Sequence, residues 1–215
     1  MDTMGSQWSR DKVYVRALKE GYRSRAAFKL REIQERYHII RETDNVIDLG
    51  ASPGSWLQVE RELTAGIVVG IDISYIPPIE NVVTITGDFT DPHTLEEVRP
   101  LMPYTSVVLS DASPKLSGQR TYDQARAIEL GENALLFAEK ILKNGGNFVV
   151  KSFQGEDFNT LLYQVRDHFL SVRTFHPNAS RKGSTEIYIV AKNFIAREWS
   201  SEPLKYSTNE TEGPI

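Results

Sequence analysis

Short runs of β-branched and other apolar residues alternate along this chain with segments at helical spacing, and that alternation restricts the fold more than any other feature. The apolar runs are NVIDLG at 45, IVVGIDI at 67, VVTIT at 82, SVVLS at 106 and NFVVKSF at 147. Helix-compatible stretches begin near 54, near 91 and at 121. The order, βαβ followed by βαβαβ, makes the strands parallel, because an intervening helix returns the chain to the same end of the sheet. Phe148, Val149 and Val150 form an unbroken apolar triplet, as a strand covered on both faces requires. A further helix near 157 to 169 precedes LSVRTFH and STEIYIVAK, two strand candidates able to pair as a hairpin-like couple. The expected fold is α/β: a Rossmann-like, seven-stranded, mostly parallel sheet with one antiparallel strand near an edge and helices on both faces. Ahead of the sheet, SRAAFKLREIQER predicts a helix over 24–36 with Ser24 as its cap. The long helix over 121–142 is expected to stop at Asn144, Gly145 and Gly146 through a left-handed cap.

The chain has 215 residues and no break in composition, so one domain is expected over 1–194, with a basic segment over about 1–41. Residues 195–215 are polar and aperiodic, the pattern of a disordered tail. No apolar run approaches the roughly 18 residues of a membrane span, and MDTMGSQWSRDK lacks the apolar stretch of a secretory signal. A cytoplasmic protein is expected. The absence of cysteine excludes disulfides, thiolate nucleophiles and cysteine-held metals, and His38, His93, His168 and His176 show no metal-ligand spacing. No metal is expected.

Net charge is −4, which taken alone argues against a nucleic-acid partner. Its distribution reverses that inference. Arg10, Lys12, Arg16, Lys19, Arg23 and Arg25 belong to a first segment in which cations clearly outnumber acids, so these six are candidates to hold phosphates. A second, smaller basic group can form from Lys115, Arg120, Arg181 and Lys182, all in segments that read as loops.

The strand ends carry the chemistry. In open α/β sheets ligands bind outside the carboxyl ends of the strands, and Lys151 stands at that end of the fifth apolar run. The first run leads into DLGASPGSW, where small residues let a ligand approach the backbone before a helix begins. Ala51, Ser52 and Pro53 separate Gly50 from Gly54, so this is not the GxGxxG of dinucleotide sites, and Pro53 has no N–H to offer a phosphate. A nucleoside-bearing ligand without a pyrophosphate fits better. Asp72 closes the second strand, where a carboxylate can accept from both hydroxyls of a ribose, and Asp88 follows the third, where it can accept from an adenine amino group.

GYRSRAAFKL at 21–30, DLGASPGSW at 48–56, SDASP at 110–114, VVKSFQG at 149–155 and STEIYIV at 184–190 together resemble the FtsJ/RrmJ family of S-adenosylmethionine-dependent RNA 2′-O-methyltransferases. The likeness runs from about Arg10 to Lys192 and implies a class I methyltransferase fold. It also implies a Lys-Asp-Lys-Glu tetrad, at Lys29, Asp111, Lys151 and Glu186, and a cofactor site that uses Gly54, Trp56, Asp72, Asp88 and Asp111.

Transfer of a methyl group to a ribose 2′-hydroxyl needs positioning and removal of a proton. A free lysine is almost fully protonated at neutral pH, so Lys151 needs burial or a neighbouring cation such as Lys29 to serve as base. The expectation is that Lys151 takes the proton while Lys29 positions the hydroxyl and stabilises the oxyanion; the rival keeps Lys151 protonated, with water as the acceptor. The resemblance implies an RNA substrate, and a compact single-domain chain with a short tail, expected to be a monomer, is most similar to the branch that modifies a uridine of large-subunit ribosomal RNA. Anticodon-loop transfer RNA is the alternative. From other classes, an NAD-dependent oxidoreductase is opposed by the missing GxGxxG, and a non-catalytic RNA-binding module by the presence of all four tetrad side chains.

Overall fold

The protein is described by a computed structural model covering residues 12–114, 117–155, 157–181 and 183–196. Arg10, Lys115, Lys182 and the expected tail from 197 onward lie outside the described residues, as does the side chain of Arg120.

Helices α1 (Lys12–Lys19) and α2 (Ala26–Tyr37) precede β1 (Val46–Leu49), α3 (Ser55–Leu63), β2 (Val68–Asp72), β3 (Val83–Thr86) and α4 (Pro92–Val98). Then come β4 (Thr105–Ser110), α5 (Arg120–Ile141), β5 (Leu142–Phe153), α6 (Phe158–His168), β6 (Phe169–Phe175) and β7 (Glu186–Phe194). The seven strands form one sheet in the order β3-β2-β1-β4-β5-β7-β6. The first five run parallel, and β7 is inserted antiparallel between β5 and β6. The expected pairing of the last two strands is therefore present, but β7 also pairs with β5 along its length.

Alternation along the strands sends successive side chains to opposite faces. Ile47, Leu49, Val108, Phe148 and Val150 face α4, α5 and α6 in one core. Val46, Leu109, Val149, Tyr188 and Val190 face α1, α2 and α3 in the other. The same parity puts Asp48, Lys151 and Glu186 on the α1–α3 side, which is how far-apart sequence positions come to share one corner.

Three local features depart from the sequence reading. Helix α1 was not expected: it buries Ala17 against α2, carries the Arg16–Glu20 ion pair at 2.7 Å, and is closed by Gly21 at φ 84. Helix α2 begins at Ala26, with Ser24 Oγ accepting from the Ala26 N–H at 3.2 Å, and ends at His38 in the left-handed region. Helix α5 ends at Ile141 on an extended Leu142, so the glycine pair is not its cap. Gly145 instead adopts φ 80, and a side chain on Gly146 would meet Ser106 O at 3.0 Å, so these glycines let the start of β5 turn and close on β4.

Candidate active site at the carboxyl edge of the sheet

Lys29, Asp111, Lys151 and Glu186 come from α2, the end of β4, β5 and the start of β7, and the fold brings all four together. Lys29 Nζ lies 2.7 Å from Glu186 Oε1 and donates to Oε2 at 2.8 Å. Lys151 Nζ lies 3.0 Å from Asp111 Oδ1 and also donates to the Asp111 carbonyl. Both lysines are 8% exposed, so the cost of burying each ammonium is offset by a close, hydrogen-bonded carboxylate.

Tyr188 links the two ion pairs. Its hydroxyl donates to Asp111 Oδ1 at 2.6 Å and accepts from Lys29 Nζ at 3.4 Å. Sequence reasoning missed this residue, although Tyr188 follows Glu186 by two positions in a strand and so had to share its face. Burial, then the charges of Asp111 and Glu186, push the Tyr188 hydroxyl well above its ordinary range, so it remains a donor. At Asp111 burial acts upward, but Lys151 and Lys29, aided by the Tyr188 and Lys151 hydrogen bonds, outweigh it and hold the carboxyl below the usual range. Asp111 is thus an anion fixed from two sides. Ser180 Oγ donates to Glu186 Oε1 at 2.8 Å and fixes the remaining carboxylate.

Beside this corner is a cleft of about 620 Å³, lined by Gly50, Ser52, Asp72, Ile73, Asp88, Phe89, Ala112 and Pro114 among others. That volume suits a nucleoside-sized ligand. Asp72 accepts from Ser52 N at 3.0 Å on Oδ2 and from Ser74 N at 2.7 Å on Oδ1, which leaves acceptor capacity on each oxygen for a pair of hydroxyls. Asp88 accepts from the N–H and the hydroxyl of Thr90, both on Oδ1. Gly50 has φ 75, and a Cβ there would come within 2.6 Å of Ala112 Cα, so the loop approaches the strand-end segment as closely as it does only because this residue is glycine.

Gly54 and Trp56 do not line the large cleft. Gly54 begins α3 at φ 101, where a side chain would meet the Arg23 guanidinium. The Trp56 indole is buried, donates to Ala26 O at 2.9 Å and packs 5.8 Å from the Tyr188 ring. It is positioned to fix α2 and β7 against each other, and it borders a small second cavity that also touches Gly50 and Asp111. Among the described residues no group of three or more histidine, cysteine, aspartate or glutamate side chains could hold a metal.

The basic candidates separate into two kinds. Lys12, Arg16 and Lys19 recur at helical spacing and line one open groove on α1. Arg23 is engaged inside the protein: Nη1 donates to Pro53 O and Pro77 O and Nη2 to Pro78 O, each at 2.8 Å, which straps the glycine loop to the segment after β2. Arg25 Nη2 donates to Ala179 O at 2.6 Å and ties α2 to the loop before β7.

A family model described as FtsJ-like methyltransferase matches residues 22–194. A protein of Methanosphaerula palustris named ribosomal RNA large subunit methyltransferase E is 62% identical over 192 residues, covering 89% of this chain and 95% of that one. A protein of the same name from Methanoculleus marisnigri is 58% identical over 213 residues, 99% of this chain and 100% of the relative. Among solved structures, one assigned as a ribosomal RNA methyltransferase of Plasmodium falciparum superposes with a TM-score of 0.74 at 30% identity, over 82% of this chain and 100% of its own. The fibrillarin/Nop5p complex matches at a TM-score of 0.56 and 19% identity, over 77% and 81%, which is a likeness of fold alone.

Proposed function

Because the chain belongs to the FtsJ-like methyltransferase family, we propose that it transfers a methyl group from S-adenosylmethionine to a ribose 2′-hydroxyl of large-subunit ribosomal RNA, acting as a cytoplasmic monomer. The observation that carries the chemistry is the pair of buried lysines, each held by a carboxylate and joined through Tyr188, beside a nucleoside-sized cleft. Asp72 and Asp88 would hold the ribose and the adenine amino group, and the Gly50–Gly54 turn would lie against the methionine portion. The cofactor supplies an electrophilic methyl on a sulfonium. That methyl would be the electrophile for the 2′-oxygen, with sulfur as the leaving group that keeps the electron pair. Lys151, in its neutral amine form, would receive the hydroxyl proton, and Lys29, anchored by Glu186, would stabilise the charge that develops on oxygen.

The relatives' name supports the choice of RNA. Methyl-transfer assays on intact large subunits, free ribosomal RNA and transfer RNA test it, with incorporation expected into ribosomal substrates; preferential labelling of transfer RNA would move the substrate to the anticodon loop. The α1 groove accounts for RNA affinity. Replacing Lys12, Arg16 and Lys19 together by glutamine should weaken RNA binding and lower the slope of log affinity against log salt by roughly 2–3, about one per phosphate contact, with S-adenosylmethionine binding retained. An unchanged salt slope would remove these residues from the RNA path.

A further inference from the structure

Two carboxyl groups near the active corner have no part in the reaction as described. Asp48, on β1, and Glu60, on α3, are both 0% exposed, and none of their four side-chain oxygens has a hydrogen-bond partner among the described residues. An ionised carboxylate in that condition is severely penalised. Burial first, then the charges of Glu60, Asp111 and Asp72, push the Asp48 carboxyl well above its usual range, and only Lys151 from β5 opposes them. Burial pushes Glu60 up to about 8. A neutral carboxyl is a donor, and its O–H then requires an acceptor.

A cavity of about 20 Å³ borders Asp48, Asp111, Ser24 and Ser55, which is room for one water molecule. Ser24 and Ser55 meet there, with the Ser55 hydroxyl donating to Ser24 Oγ at 2.7 Å. At Asp111, the Tyr188 hydrogen bond and the Lys151 contact both fall on Oδ1. We propose that Asp48 is a positioning residue for methyl transfer: its protonated carboxyl donates to one water held in this cavity, and that water donates to Asp111 Oδ2, completing the set of bonds that fixes the Asp111 anion beneath Lys151. This rests on the methyltransferase reading for its consequence, but not for its geometry.

Two measurements test it. The infrared difference between wild type and Asp48→Asn at pH 7 should show loss of the C=O band of a neutral carboxylic acid; loss of an ionised carboxylate band would overturn the proposal. This readout does not depend on any activity, so failure of the methyl-transfer reading would be seen separately, as an inactive wild type. In the second measurement, Asp48→Leu, similar in size but without a donor, should lower kcat by about 10- to 100-fold. It should also shift the acidic limb of the kcat–pH profile to higher pH, because Asp111 loses a bond to its charged form. Asp48→Asn, which keeps a donor, should restore the wild-type limb. An unshifted limb in Asp48→Leu, or an Asp48→Asn variant as impaired as the leucine one, would refute the positioning role. Should the leucine variant not fold, the infrared result and the asparagine profile still decide.

Discussion

Lys151→Arg is expected to reduce methyl transfer by about 10²- to 10⁴-fold, the range of a lost general base, while leaving S-adenosylmethionine affinity within about threefold. The substitution preserves charge, so retained activity would exclude the base role, and a loss is assigned by the pH–rate profile. If Lys151 acts only as a cation near the developing oxyanion, arginine supplies the same charge and much of the rate should survive. If Lys151 must receive the proton, arginine cannot, since it stays protonated at all working pH values. Sterics act in the same direction: Lys151 is 8% exposed and its amine is bonded at once to a side-chain oxygen and the backbone carbonyl of Asp111, a slot that a planar guanidinium does not match. Two observations keep the interpretation clean. The pH–rate profile of the wild type should rise through an ionisation that the arginine variant lacks, and the melting temperature of the variant should stay near that of the wild type. Full activity in Lys151→Arg would refute the base role.

The second large effect is on stability. Glu60 carries a carboxyl whose pKa is raised from 4.5 to about 8 by burial. Between those values the folded protein binds a proton that the unfolded chain has lost, so stability is fully present below about pH 4.5 and is lost as pH rises toward 8. The slope reaches at most ~1.4 kcal/mol per pH unit per proton, and over this window the sum is on the order of several kcal/mol, a large part of a typical ~5–15 kcal/mol total. Asp48, raised as well, adds in the same direction. Asp111, held below its ordinary range, acts oppositely and only in stronger acid, where protonating it removes stability. Thermal unfolding should therefore show greatest stability in mildly acidic solution and a decline toward pH 8. Glu60→Gln should flatten that decline by about one proton's worth and should be at least as stable as wild type at pH 8. A melting temperature that rises from pH 5 to 8, or an unchanged slope in the variant, would contradict the neutral state of this buried acid.

Much of the fold was legible because the central strand runs at β1, β4 and β5 are apolar and buried on both faces and alternate with helical segments, as a helix-covered parallel sheet requires. The tetrad was legible through its motifs, and the sheet's parity supplies the physical reason that these positions meet. Tyr188 was overlooked although the spacing from Glu186 pointed to it. Helix α1 is short, and its end at Gly21 is a signal easily read as a loop. The Asn144–Gly146 turn carries the usual marks of a helix cap, and only the approach of β5 to β4 shows that the helix stops earlier. Arg23 reads as one more surface cation until its three carbonyl partners, at positions 53, 77 and 78, are brought to it by the fold. Glu60 reads as a solvent-facing glutamate on an amphipathic helix. Its place in α3, four residues after Trp56 and three before Leu63, puts it on the buried face all the same, so the spacing pointed inward where the charge pointed outward.

The central claim is chemical: the acceptor is a ribose oxygen, not a base. Large-subunit RNA labelled with a radioactive methyl group from S-adenosylmethionine and then hydrolysed in alkali tests this directly, because alkali needs a free 2′-hydroxyl to cleave the adjoining phosphodiester. The account predicts label in alkali-resistant dinucleotides. Label recovered in mononucleotides would mean that the methyl group had gone to a base, and would contradict it.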